Sequence, residues 1–305
     1  MQRADWHGVF PAITTEFTET GAVDEEHVSR HVRWLLGAGC RGIVPLGSLG
    51  EGATLTFAEK VRIIELCVEA ASDRPVVPGI SGLSTADCVA LARAAERAGA
   101  RGVMVLPPYV YPGDSRETDA HFGAVLDATS LPAMLYNNPI AYGTDLLADD
   151  IARLAGRHPQ VQAVKESSGD VRRVTAVRAR LGDQLAVFAG LDDMIVEACA
   201  MGASGWVAGL VNALPEESVR LFDAARAGRT AEAEALYRWF LPLLRLDTVP
   251  KFVQLIKLVQ AEVGRGSERV RAPRLALSGD ERAVAMATIE RALAARPRLT
   301  ARAPS

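Results

Sequence analysis

Short apolar runs alternate with longer amphipathic segments along most of the chain. The runs are four to seven residues long, recur about every 20 to 35 residues, and most are rich in Val, Ile or Ala. Such runs are typical of strands that are buried on both faces of a parallel sheet. The pattern predicts eight strands, at Gly8–Thr14, Arg41–Leu46, Pro75–Ile80, Gly102–Leu106, Ala133–Tyr136, Val161–Lys165, Leu185–Ala189 and Ser204–Gly209.

The amphipathic segments between these runs carry helix start signals. Thr56 and Glu59 have the spacing of a capping box before the segment Lys60–Ala71. Asp24 can cap a helix that runs to Gly37. These signals favour helices between the predicted strands.

Eight alternations of strand and helix predict an α/β fold, a (β/α)8 TIM barrel, over residues 1–226. The alternative is a doubly wound open sheet, which needs a glycine-rich fingerprint after its first strand. This chain has Ala12-Ile13-Thr14-Thr15 there. Beyond the predicted barrel the pattern is helical only, over Thr230–Ala261 and Asp280–Ala295. We expect a C-terminal helical extension, residues 227–305, that packs on the barrel.

Composition and charge argue against several classes of partner. The net charge is −3 and the sequence pI is about 6.0, so no basic excess points to nucleic acid or an anionic membrane surface. No apolar run approaches the roughly 18 residues that a membrane-spanning helix needs. Residues 1–11 also lack the apolar core of a signal peptide. We therefore expect a cytoplasmic protein.

The cysteines and histidines do not suggest a metal site. His27 and His31 are one helical turn apart, but the residues between them lack the glutamate of a zinc-protease motif. The cysteines are expected to be small buried hydrophobic residues, because they lie far apart in apolar contexts. They are Cys40, Cys67, Cys88 and Cys199.

Polar side chains follow the ends of the predicted strands, where a parallel barrel has its active site. They combine hydroxyls, one ammonium and carboxylates, so proton transfer would run through tyrosine, serine and lysine. They are Thr14, Thr15, Ser48, Ser81, Tyr109, Tyr136, Asn137, Lys165, Asp192 and Asp193.

Lys165 is the most informative of these residues. The chain has four lysines, and the other three lie in helical segments, where a solvated face is the natural position. Lys165 would point into the barrel mouth, where desolvation disfavours the charged amine and makes it a nucleophile toward a carbonyl. Tyr136, one strand earlier, could relay protons to a carbinolamine. The alternative is a structural ion pair with Glu166 or with an acid on a neighbouring strand.

The loop Gly47–Gly50 also has two interpretations. Glycines allow successive backbone N–H groups to turn toward one point and hold an anion. A carboxylate bound there would place its adjacent carbonyl near Lys165. The loop could equally be a plain connection between a strand and a helix.

Three motifs resemble the dihydrodipicolinate synthase/N-acetylneuraminate lyase superfamily of class I, Schiff-base barrel enzymes. The resemblance extends from Gly8-Val9-Phe10-Pro11-Ala12 to the C-terminal helices. The motifs are Gly47-Ser48-Leu49-Gly50-Glu51, Tyr136-Asn137-Asn138-Pro139 and Lys165-Glu166-Ser167-Ser168-Gly169-Asp170.

The resemblance implies roles for the residues that match these motifs. Lys165 matches the Schiff-base lysine, and no cofactor is implied. Tyr136 matches the tyrosine that shuttles protons and positions the substrate carboxylate. Ser48 and Leu49, which follow Gly47, match the pair whose backbone amides hold that carboxylate.

Other implied features concern the pocket wall and the assembly. Gly190 and Val207 match positions in the pocket wall. Tyr109 resembles a tyrosine that reaches into the site of a neighbouring subunit. Enzymes of this kind are usually homotetramers built as dimers of dimers, with a small 2-oxo or 2-imino carboxylate as substrate.

Two positions depart from the dihydrodipicolinate synthase pattern. Leu49 stands where those enzymes have a threonine that belongs to their hydroxyl relay, and leucine cannot pass a proton. Ala141 stands where they have an arginine, five residues after the tyrosine, that binds the carboxylate of a second substrate. A buried carboxylate without a partner is unfavourable. The departures favour a substrate with one carboxylate and no condensation partner.

Within the superfamily, the closest resemblance is to bacterial Δ1-pyrroline-4-hydroxy-2-carboxylate deaminases of hydroxyproline degradation. Such an enzyme would release ammonia and 2,5-dioxopentanoate. Asp192 could hydrogen-bond the substrate's 4-hydroxyl, or could simply cap its helix. The segments that carry this resemblance are Tyr136–Pro139, Lys165–Arg173, Phe188–Asp193, Gly205–Val207 and Trp239–Leu244.

Three alternative functions are also compatible with the sequence. An aldolase could cleave a 2-oxo-3-deoxy sugar acid, or an acylneuraminate-like compound, through the same lysine. Dihydrodipicolinate synthase itself is the second. A barrel that binds a 2-oxo acid without turnover is the third, although the intact Lys165 and Tyr136 argue against it.

Overall fold

The computed structural model describes residues 1–298, so the last part of the predicted extension, 299–305, lies outside the described residues. The strands are β1 (Gly8–Pro11), β2 (Gly79–Ile80), β3 (Val103–Val105), β4 (Ala133–Asn137), β5 (Val161–Glu166), β6 (Ala186–Ala189) and β7 (Gly205–Ala208). The helices are α1 (Glu25–Gly37), α2 (Phe57–Ala71), α3 (Thr85–Arg97), α4 (Ser115–Leu126), α5 (Pro139–Tyr142), α6 (Ala148–Arg157), α7 (Arg172–Leu181), α8 (Ile195–Ala200), α9 (Pro215–Arg226), α10 (Thr230–Leu244), α11 (Phe252–Glu262) and α12 (Gly279–Ala294).

The strands form one parallel sheet in the order β1-β7-β6-β5-β4-β3-β2. A connection between parallel strands must cross back over the sheet, and helices make these crossings. The carboxyl ends of the strands therefore lie at one edge of the sheet. The sheet confirms the predicted parallel α/β architecture.

The predicted strand at Arg41–Leu46 is the exception. It forms only two isolated parallel bridges, from Ile43 to Val76 and from Val44 to Ala12. The segment and its neighbours are rich in proline, which lacks the N–H that a regular ladder needs. Among residues 1–298 the sheet thus has seven regular strands rather than eight, and this segment lies between the two edge strands β1 and β2.

Both predicted helix starts are confirmed. The side chain of Asp24 accepts a hydrogen bond from the N–H of His27 at 2.9 Å, and α1 ends at Gly37 as expected. Thr56 and Glu59 form a complete capping box at the start of α2. Each cap satisfies backbone donors that the first turn of a helix leaves unpaired.

The C-terminal helices differ from the prediction at one point. The predicted helix Thr230–Ala261 is interrupted after α10, where a 3-10 turn at Arg245–Asp247 leads to α11. Pro250 precedes α11 and cannot continue a helix from α10. The helix α12 closely matches its predicted range. The division into residues 1–226 and 227–305 stays a prediction.

Lys257 contradicts the expectation that the helical lysines lie on solvated faces. Its side chain on α11 is 0% exposed, and its Nζ atom lies 2.8 Å from Oε1 of Glu51, which is also 0% exposed. Burial lowers the pKa of this amine. The ion pair joins the C-terminal extension to the loop that contains Ser48 and Leu49.

Two findings concern composition. The four cysteines are buried and unpaired, as expected of small hydrophobic residues. No helix within residues 1–298 has both the length and the apolar character needed to cross a membrane.

Candidate active site

Lys165 lies on β5 and faces the phenol ring of Tyr136. Its side chain is buried, and the Nζ atom lies 4.3 Å from the centroid of that ring. The two residues are register partners on the adjacent parallel strands β4 and β5. Because side chains alternate between the faces of a strand, register partners point to the same side. The predicted pair is therefore brought together by the sheet.

The alternative pairing of Lys165 with Glu166 is wrong. Adjacent strand residues point to opposite faces, and Glu166 accepts hydrogen bonds from Asn137 Nδ2 at 2.9 Å and from the N–H of Ser168 at 2.6 Å. Within residues 1–298, Lys165 has no carboxylate oxygen within ion-pair distance. Its amine is thus buried beside a phenol without a direct acidic partner.

Gly190 lies directly against the Lys165 side chain, and its role in the pocket wall stays a prediction. A Cβ atom at Gly190 would overlap Oγ of Ser167 and would lie 2.8 Å from Cε of Lys165. A larger residue would therefore displace the amine. Val207 is buried in β7, and its position in the pocket wall stays a prediction.

The loop that contains Ser48 and Leu49 is held in one shape by its neighbours. Thr15 Oγ1 donates to the carbonyl of Gly50 at 2.7 Å, and a Cβ at Gly50 would lie 2.8 Å from the carbonyl oxygen of Ile13. Within residues 1–298, the N–H groups of Ser48 and Leu49 donate to no protein acceptor. They remain available for an anion, which favours the carboxylate-binding interpretation.

Tyr142 is a site residue that the sequence interpretation missed. Its hydroxyl is hydrogen-bonded to Oγ of Ser48. Its ring meets those of Tyr109 and Tyr136 edge-on, with centroid distances of 5.3 and 5.7 Å. Burial is the main cause that raises the pKa of this phenol. Its position at the end of α5, which follows β4 directly, was the available signal.

Tyr109 lies in the same aromatic cluster. It is half-buried, burial raises the pKa of its phenol, and hydrogen bonding with Tyr142 and Ser81 opposes that effect. Leu49 is buried and contributes no hydroxyl, so Tyr142 supplies the hydroxyl between Tyr109 and Ser48. The predicted reach of Tyr109 into a neighbouring subunit stays a prediction.

The sequence suggested that Asp192 either binds a substrate hydroxyl or caps its helix, but its carboxylate makes other contacts. Its carboxylate accepts hydrogen bonds from Trp206 Nε1 at 2.9 Å, from the N–H of Gly209 at 3.1 Å, and from the N–H of Leu210 at 2.7 Å. It does not cap its own helical turn. Burial raises its pKa to about 6. Because its oxygens are engaged and its side chain is fully buried, a hydrogen bond to a substrate hydroxyl has no support here.

Comparison with known proteins agrees with this geometry. The sequence profile of the dihydrodipicolinate synthetase family matches residues 5–292. The chain belongs to this family. A curated family member from Haloarcula marismortui, named 4-hydroxy-tetrahydrodipicolinate synthase, is 32% identical over 281 residues, which are 92% of this chain and 92% of the relative.

Solved structures of the family superpose closely on the chain. A putative dihydrodipicolinate synthetase from Pseudomonas aeruginosa has a TM-score of 0.88 at 31% identity, and the match covers 94% of this chain and 99% of that one. The chloride-inhibited dihydrodipicolinate synthase from Acinetobacter baumannii, complexed with pyruvate, has a TM-score of 0.89 at 27% identity, covering 94% and 98%.

Membership of this family implies several general properties. Dihydrodipicolinate synthetases are lyases that bind small-molecule substrates and are typically oligomeric. They use a covalent lysine Schiff base and need no cofactor. The family does not by itself identify the substrate of this chain.

Proposed function

We propose that this chain is a class I lyase in which Lys165 forms a Schiff base with the 2-oxo or 2-imino carbon of a small carboxylate. The observation that carries the proposal is the buried amine of Lys165, which lies over the Tyr136 ring without a direct acidic partner. The neutral form of such an amine is the nucleophile that attacks a carbonyl or imine carbon.

The site residues supply the steps of this reaction. The N–H groups of Ser48 and Leu49 would bind the substrate carboxylate and orient the adjacent carbonyl carbon toward Lys165. The amine attacks that carbon, and the carbinolamine loses water after its hydroxyl takes a proton from the Tyr136 phenol. The resulting iminium acidifies the neighbouring C–H, so that an enamine can form.

Among the specific reactions that such a lyase could catalyse, the comparisons best support that of a 4-hydroxy-tetrahydrodipicolinate synthase. Curated relatives carry this name, among them the Haloarcula marismortui protein. The related Acinetobacter baumannii structure contains pyruvate, a 2-oxo carboxylate of the expected size. In this reaction the enamine of pyruvate would attack the aldehyde carbon of a second substrate.

A deaminase acting on Δ1-pyrroline-4-hydroxy-2-carboxylate is the second candidate, and one position of the site favours it. Ala141 on the short helix α5 offers no cation to the carboxylate of a second substrate. A second carboxylate without a cationic partner would be costly to bury. The deaminase substrate has one carboxylate, which Ser48 and Leu49 can bind.

Parallel assays of the purified protein test both candidates. Borohydride reduction in the presence of pyruvate should attach the label to Lys165, as peptide mapping would show. Consumption of pyruvate with an aldehyde partner indicates the synthase, and ammonia release from the pyrroline compound indicates the deaminase. Pyruvate release from a 2-oxo-3-deoxy sugar acid would indicate the aldolase. A label on Lys165 without turnover of any substrate would favour a binding protein.

We further propose that the chain is a homotetramer. Large apolar side chains near the site are exposed in a single chain: Leu83 by 83%, Val110 by 86% and Ile140 by 74%. Tyr109 and Leu83 line a cavity of about 290 Å³ on this side. Light scattering should report four times the chain mass, and a monomer in dilute solution would contradict the proposal.

A further inference from the structure

Asp247 is a carboxylate that the C-terminal extension adds to the barrel site. It ends the 3-10 turn between α10 and α11, far along the chain from Lys165. A Cβ at Gly209 would overlap the Asp247 carboxylate, so the side chain reaches the loop after β7 only because residue 209 is a glycine. The N–H of the same Gly209 binds Asp192. Two carboxylates therefore meet around one glycine.

The Asp247 carboxylate differs from Asp192 in its contacts. The oxygens of Asp192 are bound by three donors, whereas Asp247 has no hydrogen bond or ion pair from its side chain within residues 1–298. Lys165 is close enough to act electrostatically on both acids. Asp247 is thus a half-buried acid against the loop after β7, at the edge of the barrel that bears Lys165, and its oxygens have no partner among the described residues.

We propose that Asp247 is the acid–base residue for the substrate oxygen on the second carbon from the Schiff-base carbon. The inference rests on the proposed Schiff-base function, and it applies to both the synthase and the deaminase reaction. In the condensation, that oxygen belongs to the aldehyde that the enamine attacks. In the deamination, it is the hydroxyl that leaves. Both reactions need one proton delivered to this atom.

The proton balance is the same in both reactions. In the condensation, the enamine carbon forms the new C–C bond, the carbonyl electron pair moves to oxygen, and that oxygen takes the proton of the Asp247 carboxyl. In the elimination, the Tyr136 phenolate, which gave up its proton during Schiff-base formation, takes a C–H proton from the neighbouring carbon. The C–O bond then breaks, and the departing oxygen takes the Asp247 proton to leave as water. Asp247 then recovers a proton from solvent.

The charges around Asp247 favour the protonated carboxyl that these steps require. Burial raises the pKa of Asp247 well above its ordinary value, and the nearby acids Asp192 and Asp193 raise it further. Lys165 opposes this effect. Arg245, on the same turn, lies 3.9 Å from Asp193.

The substitution Asp247→Asn tests the inference because it preserves shape and removes the acidic proton. We expect turnover of the wild-type substrate to fall about 10²- to 10³-fold. Borohydride trapping of pyruvate on Lys165, and exchange of the pyruvate methyl protons with deuterium oxide, should stay within about twofold of wild type, because neither step involves the distal oxygen. Asp247→Glu should recover part of the turnover. The matched control Asp149→Asn, which alters an exposed acid that pairs with Arg180 at the surface, should leave turnover nearly unchanged.

A second substitution tests the geometry. Gly209→Ala should displace the carboxylate and reduce turnover in the wild-type chain, but should have little further effect in an Asp247→Ala background, where the added Cβ has room. Unchanged turnover in Asp247→Asn would overturn the inference. Loss of borohydride trapping together with turnover would also overturn it, because Asp247 would then act on Schiff-base formation by Lys165 and not on the distal oxygen. Absence of trapping in the wild-type protein would overturn the Schiff-base function itself.

Discussion

Lys165→Met is expected to lower turnover by at least about 10⁴-fold, because it removes the nucleophile that forms the covalent intermediate. Methionine has a similar length and no charge. The buried amine of Lys165 has no ion pair to lose within residues 1–298, so the fold should be at least as stable as before. Steady-state kinetics and urea unfolding, measured on the same preparation, would separate the two effects.

The small number of lysines makes the covalent test unambiguous. Borohydride should attach pyruvate to Lys165 and to none of Lys60, Lys251 and Lys257, and Lys165→Met should abolish the label. The control Lys251→Met alters an exposed lysine, which pairs with Glu281 at the surface, and should keep full activity. A label that persists in Lys165→Met would show that another amine is the nucleophile.

Lys257→Met is expected to lower the free energy of unfolding by about 3–5 kcal/mol, because it leaves the buried carboxylate of Glu51 without its cation. Glu51 also accepts a hydrogen bond from the N–H of Arg271 at 3.0 Å, and Arg274 lies 3.7 Å away. These contacts compensate only part of the loss. The Ser48 loop precedes Glu51 directly, so weaker binding of the substrate carboxylate should accompany the destabilisation. Urea unfolding measures the free energy of unfolding, and the KM for pyruvate reports binding of the substrate carboxylate.

Matched variants identify the cause of that destabilisation. Lys251→Met breaks an ion pair whose side chains are 52% and 47% exposed, and should change stability by about 0–1 kcal/mol. The double variant Lys257→Met, Glu51→Gln removes both buried charges and should recover much of the stability lost in the single variant. Equal losses in Lys257→Met and Lys251→Met would contradict the role assigned to the buried pair.

Much of the fold and the centre of the site could be predicted from local patterns. Apolar runs of strand length, separated by helices with start signals, require parallel strands with their carboxyl ends at one edge. Lys165 and Tyr136 end consecutive runs of this kind, so any parallel sheet with β4 beside β5 brings them together. The parallel architecture and this pairing therefore follow from short stretches of sequence.

Structural features that depend on contacts between distant segments could not be predicted from local patterns. The segment Arg41–Leu46 has the composition of a strand, but the positions of prolines on its neighbours decided that it forms only two bridges. Lys257 has an ordinary helical context, and its burial depends on Glu51, more than 200 residues earlier in the chain.

The chain's own amino-acid order thus determined which elements form, the direction of the strands and the identity of the central lysine, because these depend on periodicity and neighbouring residues. Tertiary structure alone decided which partners the polar side chains at this end of the barrel have. The loop after β7 donates hydrogen bonds to Asp192, and the Asp247 carboxylate, from the C-terminal extension, lies against Gly209. Hydrogen bonds and close approaches between segments far apart in sequence leave no local pattern, so only the packed molecule shows them.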